Sequence, residues 1–154
     1  MGLEISLSKR PSEIDRPVLG AFYGNLQRGP EVNHNLMKLE PGLYLVATPL
    51  GSARDITLRA LDILASADVL AAEDTRTARK LLDIHGVPLA GRRIIAYHDH
   101  SNAKDRKKVI HHVVEGKSVA YVSEAGTPLI ADPGYQLVVD VRREGLPVSA
   151  APGP

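Results

Sequence analysis

The sequence predicts an α/β domain built on a mostly parallel, doubly wound sheet with helices on both faces. From residue 43 onward, short apolar runs alternate with amphipathic helical segments, and the runs are continuously apolar rather than alternating with polar residues. Continuous apolar runs are typical of strands in a parallel sheet that is covered on both faces. Three helical segments also end at a glycine, which favours the left-handed conformation that closes a helix. These glycines are Gly86, Gly116 and Gly145.

Five apolar runs are predicted to be the strands of this sheet. Each has only three to five residues, and a helical segment separates it from the next, as crossovers between parallel strands require. The predicted strands are 43–47, 69–72, 94–97, 119–122 and 148–150. Because parallel strands end at the same edge of a sheet, the loops that follow them gather where ligands bind in such folds.

Four helices are predicted between these strands. A side-chain oxygen at the start of a helix accepts hydrogen bonds from the free N–H groups of the first turn. On this ground Asp55 is predicted to cap the first helix, Thr75 the second, and Ser101 or Asn102 the third. The fourth helix is predicted from about Tyr135 to Glu144.

Residues 1–40 differ from the rest of the chain. Prolines interrupt this segment, and its apolar residues follow neither a helical nor a strand period. Such a segment is expected to be a flexible leader or a local addition to the fold. The α/β domain is therefore expected to span residues 41–154.

The composition excludes several classes of protein. The chain of 154 residues has no cysteine, which excludes disulfide scaffolds, thiolate zinc sites, iron–sulfur clusters and cysteine nucleophiles. Aromatic residues make up 4%, which disfavours modules that stack single-stranded RNA on an aromatic sheet. The sequence has no apolar run of membrane-spanning length and no signal-peptide pattern, so a cytoplasmic protein is the simplest interpretation.

The loop after the first predicted strand, residues 48–55, occupies the place of the glycine-rich turn in dinucleotide-binding proteins. It contains one glycine, Gly51, and lacks the spacing of that turn, and no phosphate-loop lysine follows a glycine run. A standard nicotinamide site and a nucleoside triphosphatase are therefore not supported. The spacing alone leaves open an ordinary turn and a ligand-binding loop.

The loop after the fourth predicted strand, residues 123–134, is the stronger candidate for binding. It holds two glycines and two prolines within twelve residues, which stiffen its backbone. It also combines serine, glutamate, threonine and aspartate. A rigid loop with outward-facing polar groups is suited to hydrogen-bonding a small ligand, so a binding role is favoured over a plain structural one.

Five separated motifs carry a resemblance to a known family. They are Leu45–Gly51, Ala72–Arg76, His98–Asn102, Ser123–Tyr135 and Pro152–Pro154. With these motifs, the segment from Leu43 to Pro154 resembles the ribosomal RNA small-subunit methyltransferase I family, a branch of the tetrapyrrole-methylase superfamily. The resemblance implies the N-terminal domain of a tetrapyrrole-methylase-like fold with S-adenosyl-L-methionine as methyl donor. The implied acceptor is a cytidine ribose 2′-hydroxyl in small-subunit (16S) ribosomal RNA.

The sequence departs from the family pattern at a few points. Ser52 and Ala53 replace the common Asn-Leu, and Glu124 replaces the usual Asp, which moves the carboxylate one methylene farther out. Family members continue into a second α/β domain, with the donor in the cleft between the two domains. The resemblance therefore implies that residues 41–154 are the first domain and that the second is absent, which leaves open whether this chain alone is active. It also implies a homodimer.

Under this resemblance we assign roles to residues in the motifs. The residues assigned to the donor pocket are Thr48, Pro49, Leu50, Gly51, Ser123, Ala125, Gly126 and Ile130. The residues assigned to an RNA-facing surface are Arg76, Arg79, His98, His100, Asn102, Lys104 and Lys107. Because a ribose hydroxyl is a weak acid, a general base would assist the transfer. Asp99 and Glu124 are the candidates in this chain, and a residue of the second domain is an equal alternative.

The distribution of charge supports an RNA-facing surface. The whole chain has a net charge of +1, but residues 76–117 hold ten basic and four acidic side chains, a local charge of +6. Such a concentration can contact phosphates although the whole chain is nearly neutral. For Lys104–Lys108 alone, a solvated helix face is the better explanation. Together with Arg76 and Arg79, an RNA contact becomes the favoured one.

Two other functions stay open, and no metal site is expected. Methylation of a tetrapyrrole ring would share the fold and the donor, although the motifs at Glu73–Arg76 and His98–Asn102 favour RNA. A non-catalytic fragment that binds RNA or dimerises is the alternative of another class. The histidines at 98 and 100, and those at 111 and 112, lack a third ligand at a suitable spacing.

Overall fold

The structure, a computed structural model, describes residue 34, residues 36–129 and residues 133–154. Within these residues, five strands form one sheet and four helices connect them. The strands are β1 Gly42–Val46, β2 Val69–Ala72, β3 Ile94–Ala96, β4 Ser118–Val122 and β5 Val148–Ala151. The helices are α1 Leu58–Ser66, α2 Thr75–Ile84, α3 Ala103–Val114 and α4 Gly134–Arg143.

The predicted α/β class with a parallel sheet is confirmed. The strand order is β3-β2-β4-β1-β5, and every pairing is parallel. All five residues of the central strand β4 are buried, as expected of a strand covered on both faces. The predicted strand bounds differ from the observed ones by one residue at several ends, where terminal hydrogen bonds decide the limit.

Helices cover both faces of the sheet, as predicted. Alternate strand residues point to opposite faces, so Leu43 and Leu45 of β1 pack with α3 and α4. Val46 of the same strand packs with α1 and α2 on the other face. In β4, Tyr121 and Val122 divide in the same way. The two apolar cores explain why the strands are continuously apolar in sequence.

The carboxyl ends of the strands are aligned at one edge of the sheet. Val122 at the end of β4 pairs with both Val46 of β1 and Ala72 of β2. Val46 also pairs with Ala151 of β5, and Ala72 pairs with Ala96 of β3. The five segments that follow these strands therefore leave the sheet side by side, and we call this edge the carboxyl rim.

Two predicted helix caps are wrong. The cap of α1 is Thr57, whose hydroxyl accepts from the N–H of Ala60 at 3.1 Å, and not Asp55. Ile56 packs against the core between Asp55 and the helix, which delays the helix start. In α2, the cap is Asp74 and not the predicted Thr75, because Thr75 is already the first residue of the helix.

The carboxylate of Asp74 accepts hydrogen bonds from the N–H groups of Arg76 at 2.8 Å and Thr77 at 3.2 Å. These bonds lower the pKa of Asp74, with the bond from Thr77 contributing most. They favour the charged carboxylate over its protonated form.

The predicted cap Asn102 is confirmed at α3. Its side-chain oxygen accepts from the N–H groups of Lys104 and Asp105, and the Asp105 carboxylate accepts from the N–H of Asn102. This reciprocal arrangement is a capping box. A hydrogen bond from Lys108 is the largest cause that lowers the pKa of Asp105, followed by the bond from Asn102.

An ion pair joins the two helices that cover one face. Arg106 of α3 donates to Asp140 of α4 at 2.5 Å, and Gln136 donates to the second oxygen of that carboxylate at 2.9 Å. Burial by itself would raise the pKa of Asp140, but the bonds from Arg106 and Gln136, with the nearby positive charges, lower it overall. The pair holds α3 and α4 in one relative position.

The lowered pKa values of three aspartates predict that the stability of the fold decreases in acid. The folded pKa of Asp74, Asp105 and Asp140 lies below its ordinary value, which is about 3.9 in an unfolded chain. The stability they contribute is therefore complete above that value and is lost as the pH falls through the folded pKa. We expect the melting temperature, followed by circular dichroism, to fall as the pH decreases below about 4.

The variant Asp140→Asn tests the origin of that decline. It is expected to lower the melting temperature by a few degrees at neutral pH and to make the decline in acid less steep, because one titrating group is lost. The exposed Asp83 on α2 provides the control Asp83→Asn. A decline of equal steepness in Asp140→Asn and the unaltered chain would contradict the assignment.

The predicted leader, residues 1–40, lies largely outside the described residues and stays a prediction. The described end of this segment is attached to β1, because the hydroxyl of Tyr44 in β1 donates to the carbonyl of Glu40 at 2.8 Å. In the described part of the chain, none of the helices combines the length and apolar character needed to cross a membrane.

Candidate functional site

The loops after β1 and β4 are joined to each other at the carboxyl rim. The N–H of Thr48 donates to the carbonyl of Gly126 at 2.9 Å, and the N–H of Gly126 donates back to the carbonyl of Thr48 at 3.0 Å. The hydroxyl of Ser123 also donates to the carbonyl of Gly126, at 3.0 Å. Thr48 and Ser123 are both buried. The two loops that the sequence identified separately therefore form one unit.

The segment after β5 packs against the same unit. The hydroxyl of Thr127 donates to the carbonyl of Pro154 at 2.7 Å. A Cβ placed on Gly153 would lie 2.8 Å from the Cβ of Ala47, closer than real side chains approach. Glycine is thus required where this segment crosses the end of β1. Three of the five predicted motifs meet here.

A cleft of about 260 Å³ lies beside the joined loops. It is bounded by the loop after β1, by the end of β4 and by one side of α2. Its lining residues are Thr48, Pro49, Gly51, Ala53, Thr77, Ala78, Lys80, Leu81, Ile84, Val122, Ser123 and Glu124. Gly51 has φ +86 and no atom within 4 Å of where its Cβ would lie, so a ligand could approach its backbone closely.

The structure brings together only part of the predicted donor pocket. Thr48, Pro49, Gly51 and Ser123 line the cleft. Leu50 does not line it and is 56% exposed, although its side chain lies 3.3 Å from where a Cβ of Gly126 would be. Gly126 itself is held in the bridge to Thr48. Ala125 is exposed, and Ile130 lies outside the described residues.

Sequence reasoning missed the wall that α2 contributes. Thr77, Lys80, Leu81 and Ile84 all face the cleft. Their spacing of three, four and seven residues marks one side of a helix. Leu82 lies outside this set and is buried in the core. That spacing was visible in the sequence, but nothing in the sequence indicated that a loop covers this side.

A glutamate that had no assigned role connects the loops after β2 and β4. The carboxylate of Glu73 accepts a hydrogen bond from the N–H of Glu124 at 3.0 Å. The N–H of Glu73 in turn donates to the carbonyl of Val122 at 3.1 Å. Glu73 therefore fixes the backbone of Glu124, the candidate base that lines the cleft.

The other candidate base, Asp99, lies on the loop after β3. It is exposed and does not line the cleft. The loop is a tight turn, in which the N–H of His98 donates to the hydroxyl of Ser101 at 2.9 Å and the N–H of His100 donates to Nδ1 of His98 at 3.2 Å. The side-chain oxygen of Asn102 is engaged in capping α3.

Some basic side chains of residues 76–117 bind other groups of the protein, and others are exposed to solvent. Four of its ten basic residues hold other groups of the protein, and these are Arg92, Arg106, Lys108 and Lys117. The side chain of Arg76 is 93% exposed and has only a long contact of 3.8 Å to Asp74. Among the described residues, Arg79, Lys104 and Lys107 are exposed and form no ion pair.

The histidines show no arrangement that would hold a metal ion. In the part of the chain that the structure describes, no three histidine, aspartate or glutamate side chains converge as ligands. His111 and His112 both lie beside Glu115, at 3.2 Å and 3.8 Å. The second of these distances is too long for a hydrogen bond.

Comparison with known proteins identifies relatives for most of the chain. Residues 42–154 match the model of the family Tetrapyrrole (Corrin/Porphyrin) Methylases. The chain is 53% identical over 116 residues to "Ribosomal RNA small subunit methyltransferase I" of Mesorhizobium japonicum, covering 75% of this chain and 38% of that protein. The protein of the same name from Escherichia coli O157:H7 is 46% identical over 112 residues, covering 73% and 38%. This chain thus spans about two fifths of the length of these relatives.

Solved structures share the fold. A uroporphyrin-III C-methyltransferase from Thermus thermophilus superposes with a TM-score of 0.56 at 23% identity, covering 73% of this chain and 48% of that one. A diphthine synthase superposes with a TM-score of 0.56 at 18% identity, covering 72% and 43%. The match to the family model covers all five strands and the joined loops. The chain therefore belongs to the tetrapyrrole (corrin/porphyrin) methylase family.

Proposed function

We propose that this chain forms the donor-binding part of an S-adenosyl-L-methionine-dependent methyltransferase that acts on a cytidine ribose 2′-hydroxyl in small-subunit ribosomal RNA. The observation that carries the proposal is the cleft beside the joined loops at the carboxyl rim, where ligands bind in open α/β sheets. The name of the relatives, at 46–53% identity, supports ribosomal RNA as the acceptor. The same resemblance supports a homodimer and a cytoplasmic location.

The cleft has the character that a methyl donor requires. Its walls are mainly apolar, and its polar side chains are three hydroxyls, one cation and one carboxylate: Thr48, Thr77, Ser123, Lys80 and Glu124. The donor supplies an electrophilic methyl group on a sulfonium, whose charge disappears as the methyl leaves, so strong negative charge in the pocket is not needed. Exclusion of water and correct placement of the acceptor would supply most of the rate.

Glu124 is the candidate base that the cleft favours. It would take the proton of the ribose hydroxyl as that oxygen bonds to the methyl carbon and the methyl–sulfur bond breaks. Glu73 holds its backbone in place through the 3.0 Å hydrogen bond. Asp99 stays an alternative on the neighbouring loop, with a residue from outside this chain as the third.

The exposed cations supply a surface for RNA. The loops after β2 and β3 leave the carboxyl rim side by side because these strands are paired, and α2 and α3 begin from these two loops. Arg79, Lys104 and Lys107 are free to contact phosphates, and His98 and His100 lie between them in the chain. Affinity that depends on such contacts falls as salt concentration rises.

The proposal is tested first by titrating the chain with S-adenosyl-L-methionine in a calorimeter. Binding of one donor per chain supports it. Absence of binding would contradict it and favour a non-catalytic fragment. Methylation of a tetrapyrrole is the second candidate, because a solved relative of the same fold is a uroporphyrin-III C-methyltransferase. Competition between uroporphyrinogen and a 16S ribosomal RNA fragment for the donor-loaded chain separates the two acceptors.

The base assignment gives a prediction for methyl transfer. Glu124→Gln is expected to lower the rate of labelled methyl transfer to small ribosomal subunits by about 100-fold or more, because the amide cannot accept the proton. Donor affinity should change little, since the amide keeps the shape of the side chain. Glu115→Gln, at the exposed end of α3, is the control. If the unaltered protein transfers methyl and Glu124→Gln does so at the same rate, Glu124 is not the base.

A further inference from the structure

His85, at the end of α2, holds the loop that forms the outer wall of the cleft. Its Nε2 lies 2.6 Å from the carbonyl oxygen of Ala53, which belongs to the loop between β1 and α1. A carbonyl oxygen only accepts hydrogen bonds, so Nε2 must carry the proton and donate it. Ala53 and Ile84, the neighbour of His85, both line the cleft. The ring therefore stands directly behind the wall.

His85 is itself fixed from two directions. Its backbone N–H donates to the carbonyl of Leu81 at 3.2 Å, which closes the last turn of α2. Its carbonyl accepts from Nε2 of His34 at 3.0 Å, and this contact again requires a proton on the ring nitrogen. The ring that holds Ala53 is thus attached to a helix end and to the segment before β1.

The loop has few other attachments along its middle. The N–H groups of Ser52, Arg54 and Asp55 donate only to groups within the loop itself, at 3.0–3.3 Å. Among the described residues, the bond from His85 to Ala53 is the only one that joins residues 49–56 to another part of the chain. Without it, the loop would be held at Thr48 and again where Ile56 enters the core.

We propose that His85 is a positioning residue for donor binding, which holds the loop at Ala53 in the conformation that shapes the cleft. The proposal rests on the proposed function, because the ligand of the cleft is taken to be the methyl donor. His85 does not touch that ligand. It removes alternative loop conformations, and binding to a loop that is already ordered is tighter than binding to one that must be ordered.

Two amide variants of His85 test this with matched chemistry. Glutamine places its NH₂ group where Nε2 of histidine lies, whereas asparagine is one methylene shorter and does not reach Ala53. Both keep the backbone bonds of His85 unchanged. His111→Asn, on an exposed histidine near the end of α3, is the control for loss of a surface histidine.

Two measurements are made on each variant. Amide hydrogen exchange at Ser52, Arg54 and Asp55 reports loop order, and calorimetry reports the donor dissociation constant. In His85→Asn, both the exchange rates and the dissociation constant should rise by about fivefold, the equivalent of one lost hydrogen bond. In His85→Gln, the exchange rates and the dissociation constant should equal those of the unaltered chain, and the same is expected of His111→Asn.

The outcomes separate this inference from the proposed function. Unchanged exchange in His85→Asn would overturn the inference. So would faster exchange with an unchanged donor dissociation constant, because the loop would then be ordered by His85 without effect on binding. If the unaltered chain binds no donor at all, the proposed function fails, and with it the role of His85 in donor binding, whatever exchange shows about the loop.

Discussion

Replacing Arg92 with alanine is expected to lower the free energy of unfolding by about 3 kcal/mol, the largest effect of any basic residue that the structure describes. The guanidinium of Arg92 donates to four backbone carbonyls at 2.7–2.9 Å. Two of them lie at the end of α1: Leu64 is in its last turn and Ala67 directly follows the helix. Carbonyls at the end of a helix have no partner within the helix. The other two belong to the turn that leads into β3.

The neighbouring Arg93 provides the control for this prediction. It is exposed and has no ion pair or hydrogen bond among the described residues, so Arg93→Ala should change the unfolding free energy by less than about 0.5 kcal/mol. Urea denaturation followed by circular dichroism measures both variants. Equal midpoints for the two would mean that the four carbonyl contacts of Arg92 are replaced by water without cost.

Arg92 also shows why charge counted along the sequence overstates the RNA-facing surface. The local charge of +6 in residues 76–117 is correct as a count, but Arg92 and Arg106 are directed into the protein. The partners of Arg92 are backbone carbonyls, which every residue has, so no sequence pattern reveals them. Arg106 pairs with an aspartate 34 positions away, a relation that only the packing of α3 on α4 creates.

The fold could be predicted because its causes are local and repeated. Continuous apolar strands, helical periods and glycines such as Gly86 and Gly116 each indicate the same parallel arrangement. The caps at Asp55 and Thr75 were predicted wrongly because several polar residues near a helix start can serve, and packing selects one. Ile56 determines the start of α1 by entering the core, a tertiary effect.

The candidate site was half predictable for the same reason. The loops after β1 and β4 are rich in glycine and proline, and such composition is a local signal. The wall from α2 was missed because Lys80 and Leu81 become cleft residues only when the loop at Ala53 lies along that helix. The contacts from Glu73 to Glu124 and from His85 to Ala53 depend on the same three-dimensional arrangement.

Replacing Gly126 with valine is expected to weaken donor binding by at least about thirtyfold and to lower the unfolding free energy by about 2 kcal/mol. Gly126 has φ +81, a conformation in which a β-branched side chain is strongly strained. Its new Cβ would also lie 3.3 Å from the side chain of Leu50. Relief of this strain requires the backbone to move, which breaks both hydrogen bonds to Thr48 and separates the loops.

Gly116→Val distinguishes loss of the site from loss of stability. Gly116 follows α3 with φ +82, and no atom lies within 4 Å of where its Cβ would be. Both variants therefore place a β-branched residue at nearly the same positive φ, so Gly116→Val is also expected to lower the melting temperature. Calorimetric titration with S-adenosyl-L-methionine should then show weak binding only for Gly126→Val, because only that glycine joins the two loops. Equal weakening in Gly116→Val would mean that donor affinity follows overall stability and not the bridge between Thr48 and Gly126.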